Sequence, residues 1–515
     1  MLKSNYYQEP SEIDQLVFDK LVPADHLLRQ VKRLIDFESF RELVRECYSA
    51  GMGRIAEDPV RMIKLEYLQF QYGLSDREVL KQVQVNVAFR YFLDLALESP
   101  LPTYGLLSQF RSRLGEERHR RLFEAVVAQA RSQGLVKDRL RLKDATHILA
   151  NVAVLSATQL VAQTRTRVLR SAKPYAAERV EQEEQEAQQI RVWSEDLKDE
   201  ERLLARVEHL RRIIKWADAL QVQLGSSQAG DGKRRRFDEA LALAHRILDQ
   251  SDDPESKDRI RSTQDADARL GKHGDYYTGY QLDLILDADS ELITAVDTPP
   301  ANQDEAANAQ DLIEQEERSQ GNDVAAISMD AIGFRGDVLR SLRDPGRLGL
   351  EVYVPPREWS SYAGSYFLPA DFHLEENGTV LVCPAEEETR NRYRNSHGTG
   401  WQFHFKRSSC QSCPLLHQCL ETLPGRHGRT VIKNDYEAEY QAVWALAKTP
   451  AYAQVRQQHP KVERKFAEII RFHHGRRTRY RSRGRVTIQY VLTAWVVNIK
   501  RMLKLLQGAP GALQT

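Results

Sequence analysis

The segment Arg139–His147, which reads RLRLKDATH, decides the predicted fold. Its apolar residues alternate with basic ones, and this period of two predicts a short β-strand in which Leu140, Leu142 and Asp144 share one face. An acid therefore stands where a core residue is expected. Because a buried carboxylate is costly unless it is hydrogen-bonded or binds a cation, we interpret Asp144 as a candidate site residue.

Strand patterns return downstream of this segment. Apolar and polar residues alternate over 280–287 and an apolar run follows over 292–296, which predicts a β-hairpin. A helix over 303–318 and a strand over 323–329 come next, and this strand runs into Asp330. A strand with an acid, a hairpin, a helix and a second strand ending in an acid are the elements of a ribonuclease-H-like α/β core with a helical domain inserted after its first strand.

We therefore divide the chain into four predicted parts. They are a helical domain at 1–135, a ribonuclease-H-like core formed by 136–149, 263–345 and 456–507, a helical insertion at 150–262, and a cysteine-containing insertion at 346–455.

The N-terminal part is predicted to contain helices joined by tight turns. A capping-box pattern, Ser75 with Glu78, opens a helix over 76–95, and a break at two prolines precedes the segment 103–113. This order is compatible with a DNA-reading helix-turn-helix, and an ordinary helical bundle with a basic face is the alternative. The candidate DNA contacts on this segment are Arg111 and Arg113.

The insertion at 150–262 is rich in charge and has apolar residues at helical spacing. A coiled-coil hairpin that spaces domains or packs another chain is favoured there over a direct DNA contact. A flexible turn is expected at 225–232. The predicted apolar stripe consists of Leu203, Leu204, Val207, Leu210, Ile213 and Ile214.

The third acid of the predicted site is Glu463, on a helix that begins after Pro460. A ribonuclease-H-like core brings its first strand, its fourth strand and a late helix together, so that Asp144, Asp330 and Glu463 can converge. Two Mg²⁺ (or Mn²⁺) ions, about 3.5–4 Å apart, would relieve the repulsion of these carboxylates and permit phosphodiester cleavage. The competing acids, expected to be solvated turn or strand-edge residues, are Asp267, Asp283, Asp287 and Asp304.

An acid-free run of arginines with interleaved aromatic residues follows Glu463. This composition suits a phosphate backbone held beside a metal-binding acid, and it predicts double-stranded DNA as the partner. The predicted DNA-binding residues of this run are Arg471, Arg476, Arg477, Arg479, Arg481, Arg483 and Arg485.

Four of the five cysteines fall in the cysteine-containing insertion. The spacing Cys410-x-x-Cys413 is typical of two thiolates on one metal, and disulfides are not expected in a cytosolic protein. Structural Zn²⁺ is the leading interpretation, with His404 or His417 able to replace one thiolate, whereas an iron–sulfur cluster and unligated thiols are alternatives. The candidate ligands are Cys383, Cys410, Cys413 and Cys419.

Composition limits the remaining possibilities. A chain of 515 residues that is 41% hydrophobic and 29% charged can bury a large core and should form two to four domains. Neither a signal-peptide core nor a membrane-length apolar stretch is apparent, so we expect a cytoplasmic protein without a membrane partner. The net charge is only +1, but acid is concentrated at 178–202 and base at 471–504, so local patches decide the partner.

Several segments, taken in order, resemble bacterial insertion-sequence transposases of the DDE class. The segments are GLSDRE (73–78), DATH (144–147), PANQD (300–304), VERKF (462–466) and RYR (479–481). The subgroup that the chain resembles has a helical N-terminal domain and a cysteine-bearing insertion before the final glutamate. The resemblance implies that Asp144, Asp330 and Glu463 are the metal-binding acids of a cut-and-paste or related transposition reaction. It also implies a homodimer that acts on element ends and target DNA.

The chain departs from similar proteins in two places. They usually have one residue between the second acid and a glycine, whereas two residues separate Asp330 from Gly333 here. They also often place a lysine a turn or two after the glutamate, where this chain has Ile470 and Arg471. We expect Arg471 to take over that phosphate contact.

Two other functions are compatible with the sequence. One is a DNA-binding protein that keeps the fold without the chemistry. The other is a metal-dependent nuclease, with Glu463-Arg464-Lys465 as its E-x-K motif and an iron–sulfur cluster in the cysteine-containing insertion.

Overall fold

The structure is a computed structural model of the chain. It describes residues 9–49, 52–53, 55–225, 231–253, 255–357, 366–375, 378–396, 398–422 and 426–507.

The described N-terminal residues form helices. They are α1 (Glu12–Leu21), α2 (Leu27–Leu34), α3 (Phe40–Val44), α4 (Pro59–Gln71), α5 (Asp76–Val85), α6 (Val87–Phe92) and α7 (Tyr104–Ser132), with a 3-10 turn at Arg45–Cys47. The predicted capping box is confirmed, because Ser75 Oγ accepts the Glu78 N–H at 3.2 Å and Glu78 Oε2 accepts the Ser75 N–H at 2.9 Å. The predicted helix 76–95 is divided at Asn86, whose side chain caps α6.

A mixed sheet forms the centre of the molecule. Its strands are β1 (Arg141–Leu149), β2 (Arg269–His273), β3 (Asp275–Asp287), β4 (Ile293–Asp297), β5 (Ala326–Ser328) and β6 (Glu351–Tyr353). The order is β2-β3-β1-β5-β6, with β4 also paired to β3. Strand β1 is antiparallel to β3 and parallel to β5, and β5 is parallel to β6. The α/β prediction and the β3–β4 hairpin are confirmed, and the arrangement is consistent with a ribonuclease-H-like core.

Four helices lie between β1 and β2. They are α8 (Ala157–Ala172), α9 (Ala177–Trp193), α10 (Asp199–Leu224) and α11 (Gly232–Asp252). Most of the predicted apolar stripe is buried against α8 and α11 of the same chain, while Leu204 is 61% exposed. The stripe is therefore covered within this helical bundle, and not by a second chain. Most of the expected flexible turn, 226–230, lies outside the described residues.

The remaining elements complete the core and form the cysteine-containing region. The helices are α12 (Ala309–Gln320), α13 (Gly336–Arg343), α14 (Arg407–Gln411), α15 (Leu416–Cys419), α16 (Glu437–Ala447), α17 (Pro450–Arg456), α18 (Pro460–Phe472) and α19 (Arg483–Gln507), with 3-10 turns at Ala331–Gly333 and Pro369–Asp371. Strands β7 (His373–Glu375), β8 (Val380–Val382) and β9 (Glu388–Thr389) form one antiparallel sheet, and β10 (Arg392–Arg394), β11 (Gly400–His404) and β12 (Thr430–Asn434) form another.

Helix α19, which is late in the chain, packs against the N-terminal helices. Its Trp495 is 1% exposed, and its ring meets the rings of Phe37, Phe40 and Tyr67 edge-on at centroid distances of 6.2, 6.0 and 5.8 Å. The N-terminal helices, the central sheet and α19 thus share one hydrophobic core. The predicted boundary near residue 135 coincides with a change of secondary structure, and as a domain boundary it stays a prediction.

Within the described residues, no helix is both long enough and apolar enough to cross a membrane.

Replacing Trp495 with alanine should destabilise this shared core strongly. Loss of a buried aromatic side chain leaves a cavity and typically costs about 3–5 kcal/mol. Chemical denaturation followed by far-UV circular dichroism measures the change. The control is Phe472→Ala, at a site that is 69% exposed, which should shift the midpoint little. Equal shifts for both variants would contradict the role of Trp495.

Candidate active site

The pairing of β1 with β5 places two acids side by side. Leu142 is in register with Ser328, so Asp144 and Asp330 each lie two residues beyond a paired position on adjacent parallel strands. Adjacent strands are about 4.8 Å apart. Asp330 lies two residues after the end of β5 and caps the following 3-10 turn, because its Oδ1 accepts the Ile332 N–H at 3.0 Å. The two predicted acids therefore come from neighbouring strands at one position of the sheet.

Helix α18 brings the third acid to this position. Val462, Phe466 and Ile469 form its buried face, which packs on β1 and β3. These apolar positions, spaced at three and four residues, fix the rotation of the helix. Glu463 lies next to the buried face, in the first turn of α18, and is exposed. The predicted helix after Pro460 is thus confirmed.

The charges of Asp330 and Glu463 act on Asp144, although among the described residues the carboxylate oxygens of the three acids do not all lie within 4.8 Å of one another. Burial, together with the negative charges of Asp330 and Glu463, raises the pKa of Asp144 to about 6, although the Ala145 N–H and Lys143 oppose the shift. Mutual repulsion of this kind is what a divalent cation relieves, and carboxylate oxygens are the donors that Mg²⁺ prefers. The three carboxylates are therefore suitable donors for a divalent metal ion, which would have to draw them together.

A fourth acid, Glu305, lies beside this site and was missed in the sequence. Burial and the charges of Asp330, Asp283 and Asp144 raise its pKa to about 7. Lys143 Nζ donates a hydrogen bond to its backbone oxygen and so ties it to β1. Its neighbour in sequence, Asp304, was considered only as a competing acid, and nothing in the local pattern distinguishes the two.

Arg456 and His459 were also missed. Arg456 donates hydrogen bonds to Met329 O at 2.6 Å and to Ser328 Oγ at 3.1 Å, directly before Asp330. Burial lowers the pKa of Arg456, while the negative charges of all three predicted acids act against this. Burial and then the Arg456 charge lower the pKa of His459 to about 4, so its buried ring is neutral beside Ser328. The sequence feature that could have identified Arg456 and His459 is their position directly before the predicted helix of Glu463.

Two of the competing acids are not solvated, contrary to expectation. Asp283 and Asp287 are both 0% exposed. Asp287 pairs with Arg141 at 3.0 Å, and Asp283 lies 3.7 Å from Lys143 Nζ. Both basic residues come from the face of β1 opposite Leu142, so these acids neutralise buried charges of the strand.

The arginine-rich run passes along the end of β1. The Leu149 N–H donates to Arg476 O and the Thr478 N–H donates to Leu149 O, each at 2.9 Å. Arg477, Arg481 and Arg485 are exposed there. Exposed guanidinium groups beside the strand of Asp144 are available to contact a phosphate backbone.

Two predicted DNA contacts have structural positions instead. Arg111 is 8% exposed, pairs with Asp76 and lies 5.2 Å from the centre of the Tyr480 ring. Arg479 Nη1 donates to Leu74 O at 2.9 Å. These contacts hold the N-terminal helices to the arginine-rich run, and a role of either side chain in DNA binding stays a prediction.

Of the other predicted DNA contacts, two have partners within the protein and two are exposed. Arg476 donates to His147 O, and Arg483 pairs with Asp297 at 3.2 Å. Arg471 is exposed in the last turn of α18, and Arg113 is exposed with its guanidinium 4.9 Å from the centre of the Tyr48 ring.

The four cysteines of the predicted metal site line one cavity of about 290 Å³. Burial raises the pKa of Cys410 and of Cys419. Among the described residues, no three of the sulfurs lie within 4.8 Å of one another, so a single ion would have to draw the thiols together. His404 faces Thr430 Oγ1 at 3.1 Å and does not line the described cavity, and neither does His417.

Two family models match the chain. A model described as "Transposase domain (DUF772)" matches residues 16–113, and one described as "Transposase DDE domain" matches residues 382–503. The first covers α1 to the start of α7, and the second covers the cysteines, Glu463 and the arginine-rich run. Asp144 and Asp330 lie between the matched segments. Searches of curated proteins and of solved structures each gave no match.

The match to the DDE domain indicates an enzyme of the nuclease and transposase kind. Together the two matches support an insertion-sequence transposase of the DDE class and confirm the resemblance found in the sequence. Its function is DNA cleavage and transposition.

Arg456 should be needed to position Asp330. Arg456→Gln removes the hydrogen bonds to Met329 O and Ser328 Oγ, and a displacement of about 1 Å at a reacting centre can cost roughly 100-fold in rate. DNA cleavage should therefore fall by about that factor while DNA affinity is kept. Arg464→Gln, at an exposed position of α18, is the control and should cleave normally. Full activity of Arg456→Gln would refute the positioning role.

Proposed function

We propose that Asp144, Asp330 and Glu463 form the catalytic site for both steps of transposition, hydrolysis of a strand at the element end and transfer of the resulting 3′-hydroxyl to target DNA. The observation that carries this proposal is the β1–β5 register, in which the residues two positions before Asp144 and Asp330, Leu142 and Ser328, are paired. The raised pKa of Asp144 supports it, since both other acids contribute to the shift.

The three carboxylates are proposed to hold two divalent ions, Mg²⁺ or Mn²⁺. When bound, such ions activate the attacking oxygen and stabilise the leaving oxygen of a phosphodiester. Neighbouring side chains of the protein are proposed to position the acids. Arg456 holds the end of β5, and the neutral ring of His459 faces Ser328 Oγ at 3.3 Å without adding positive charge.

The exposed arginines near the site are proposed to hold the DNA backbone. The exposed arginines in question are Arg113, Arg471, Arg477, Arg481 and Arg485. Each would contribute to affinity without reading sequence, because phosphate contacts position a duplex and base contacts specify it.

Dimerisation and metal binding at the cysteines are also proposed. The chain carries one set of three acids, while an element has two ends, so we propose a homodimer with one site for each end. We propose that Cys383, Cys410, Cys413 and Cys419 hold structural Zn²⁺, because four half-buried thiols around one cavity are a sufficient donor set.

Cleavage of a duplex carrying the gene's own flanking sequences, with Mg²⁺ or Mn²⁺, tests the catalytic proposal. Asp144→Asn, Asp330→Asn and Glu463→Gln should each lose more than the roughly 100-fold that removal of an outer-shell partner costs, while binding persists. Asp311→Asn removes an exposed acid of α12 and is the matched control. Tight binding without cleavage by the unaltered protein would favour a DNA-binding protein that lacks the chemistry.

Metal analysis of the purified protein tests the cysteine site. We expect about one zinc ion per chain, a colourless preparation, and loss of zinc in Cys413→Ser but not in Cys47→Ser. A brown preparation that contains iron would instead support the iron–sulfur alternative.

A further inference from the structure

A basic groove opens on the helical bundle α8–α11, far in sequence from the arginine-rich run. It encloses about 720 Å³ and is lined by α8, α9, α10 and the connection that returns to the sheet. Glu184 is the one acid among its described lining residues. Its arginines are Arg165, Arg167, Arg170, Arg191 and Arg206.

These arginines differ from several other arginines of the bundle in having no ion-pair partner in the described structure. Arg179, Arg211, Arg212 and Arg234 each pair with a carboxylate, at distances of 2.5–2.9 Å. Within the part of the chain that the structure describes, none of the five groove arginines has a carboxylate oxygen within 4 Å. None of these five positive charges is therefore held in an ion pair within the described residues.

The two inner arginines, Arg165 and Arg206, are in an electrostatically unfavourable arrangement. Arg165 and Arg206 are both half-buried, and burial followed by the charge of Arg206 lowers the pKa of Arg165. Arg165 Nη1 faces the His209 ring nitrogen at 3.3 Å, and its buried Nε has no partner in the described structure. The nearby Glu183 is engaged by Arg179 and by His209, at 2.5 and 2.8 Å. Unpaired cations held together in this way are suited to a polyanion.

The groove is connected to the DNA-binding side of the sheet. Thr263, on its wall, accepts a hydrogen bond from Arg167, and two residues later Asp265 accepts the Ser482 N–H at 3.1 Å. Arg481 Nε donates to Asn151 O at 3.3 Å, where the chain leaves β1 for the bundle. The groove and the arginine-rich run thus meet at the base of the bundle.

We propose that this groove binds the phosphate backbone of duplex DNA beyond the segment held at the catalytic acids. The inference rests on the proposed function, since it assumes the same DNA substrate. Phosphate contacts carry no sequence information, so the groove would add affinity and fix the direction of the duplex. This role replaces the spacer expected from the sequence of the insertion.

The dependence of DNA affinity on salt tests the groove. Binding of a labelled element-end duplex to the full chain is measured by fluorescence anisotropy at several salt concentrations. The double variant Arg170→Gln, Arg191→Gln changes two exposed side chains and should fold normally. We expect an affinity about 10-fold or more lower near 0.1 M salt, and a log–log salt slope smaller by about 0.9 for each lost contact.

Two further variants make the outcome decisive. Arg170→Lys with Arg191→Lys retains the charge and should retain most of the slope. Arg211→Gln with Arg212→Gln removes two arginines of the same bundle that are paired with acids, and should leave affinity and slope unchanged. An unrelated duplex should lose affinity to the groove variant by the same factor. An unaltered slope in the glutamine groove variant would overturn the proposal.

Cleavage at saturating DNA separates this inference from the catalytic proposal. The groove variant should still cleave when every molecule is bound, whereas Asp144→Asn should bind without cleaving. If the unaltered protein cleaves but the groove variant binds normally, only the groove is refuted. If the unaltered protein does not cleave, the catalytic proposal fails, and the salt slopes still decide the groove.

Discussion

The parallel pairing of β1 and β5 is the constraint on which the site depends. It consists of two register pairs, Arg141 with Ile327 and Leu142 with Ser328. Because successive side chains of a strand point to opposite faces, a slip of one residue would turn one of the two acids away from the other. Ion pairs with other elements fix the position of β1 in this pairing. Arg141, which is 0% exposed, donates to Glu316 of α12 at 2.6 Å and to Asp287 of β3 at 3.0 Å.

The buried ion pairs of Arg141 mark the limit of what could be predicted about the fold from the sequence. The period of two, the hairpin and the acids at strand ends are local patterns, and each predicted a real element. The same alternation treats Arg141 and Lys143 as residues of a solvated face. In the structure both are buried against carboxylates that lie more than 100 residues away. A single sequence does not show which acid will neutralise which base, so Asp283 and Asp287 were misjudged together with them.

The candidate active site could be predicted from the sequence to about the same extent as the fold. Its three acids stand at recognisable positions: within a strand, at the end of a strand and at the start of a helix. Arg456, His459 and Glu305 occupy loops or helix ends with no periodic pattern, and only the tertiary fold brings them to Asp330 and Asp144. The same applies to the arginines. Composition predicts a basic surface, but it does not separate Arg111, which is locked between Asp76 and Tyr480, from exposed Arg477.

The position of Trp495 among Phe37, Phe40 and Tyr67 has a consequence for synthesis of the protein. The N-terminal helices emerge first from the ribosome, but their core lacks its central aromatic ring until α19 has been made. At about 5–20 residues per second, the 428 residues between Tyr67 and Trp495 take tens of seconds to translate. Folding is therefore completed late, and a prematurely terminated chain that lacks α19 is expected to have no finished core. An enzyme that cuts DNA is thereby assembled only after α19 has been made.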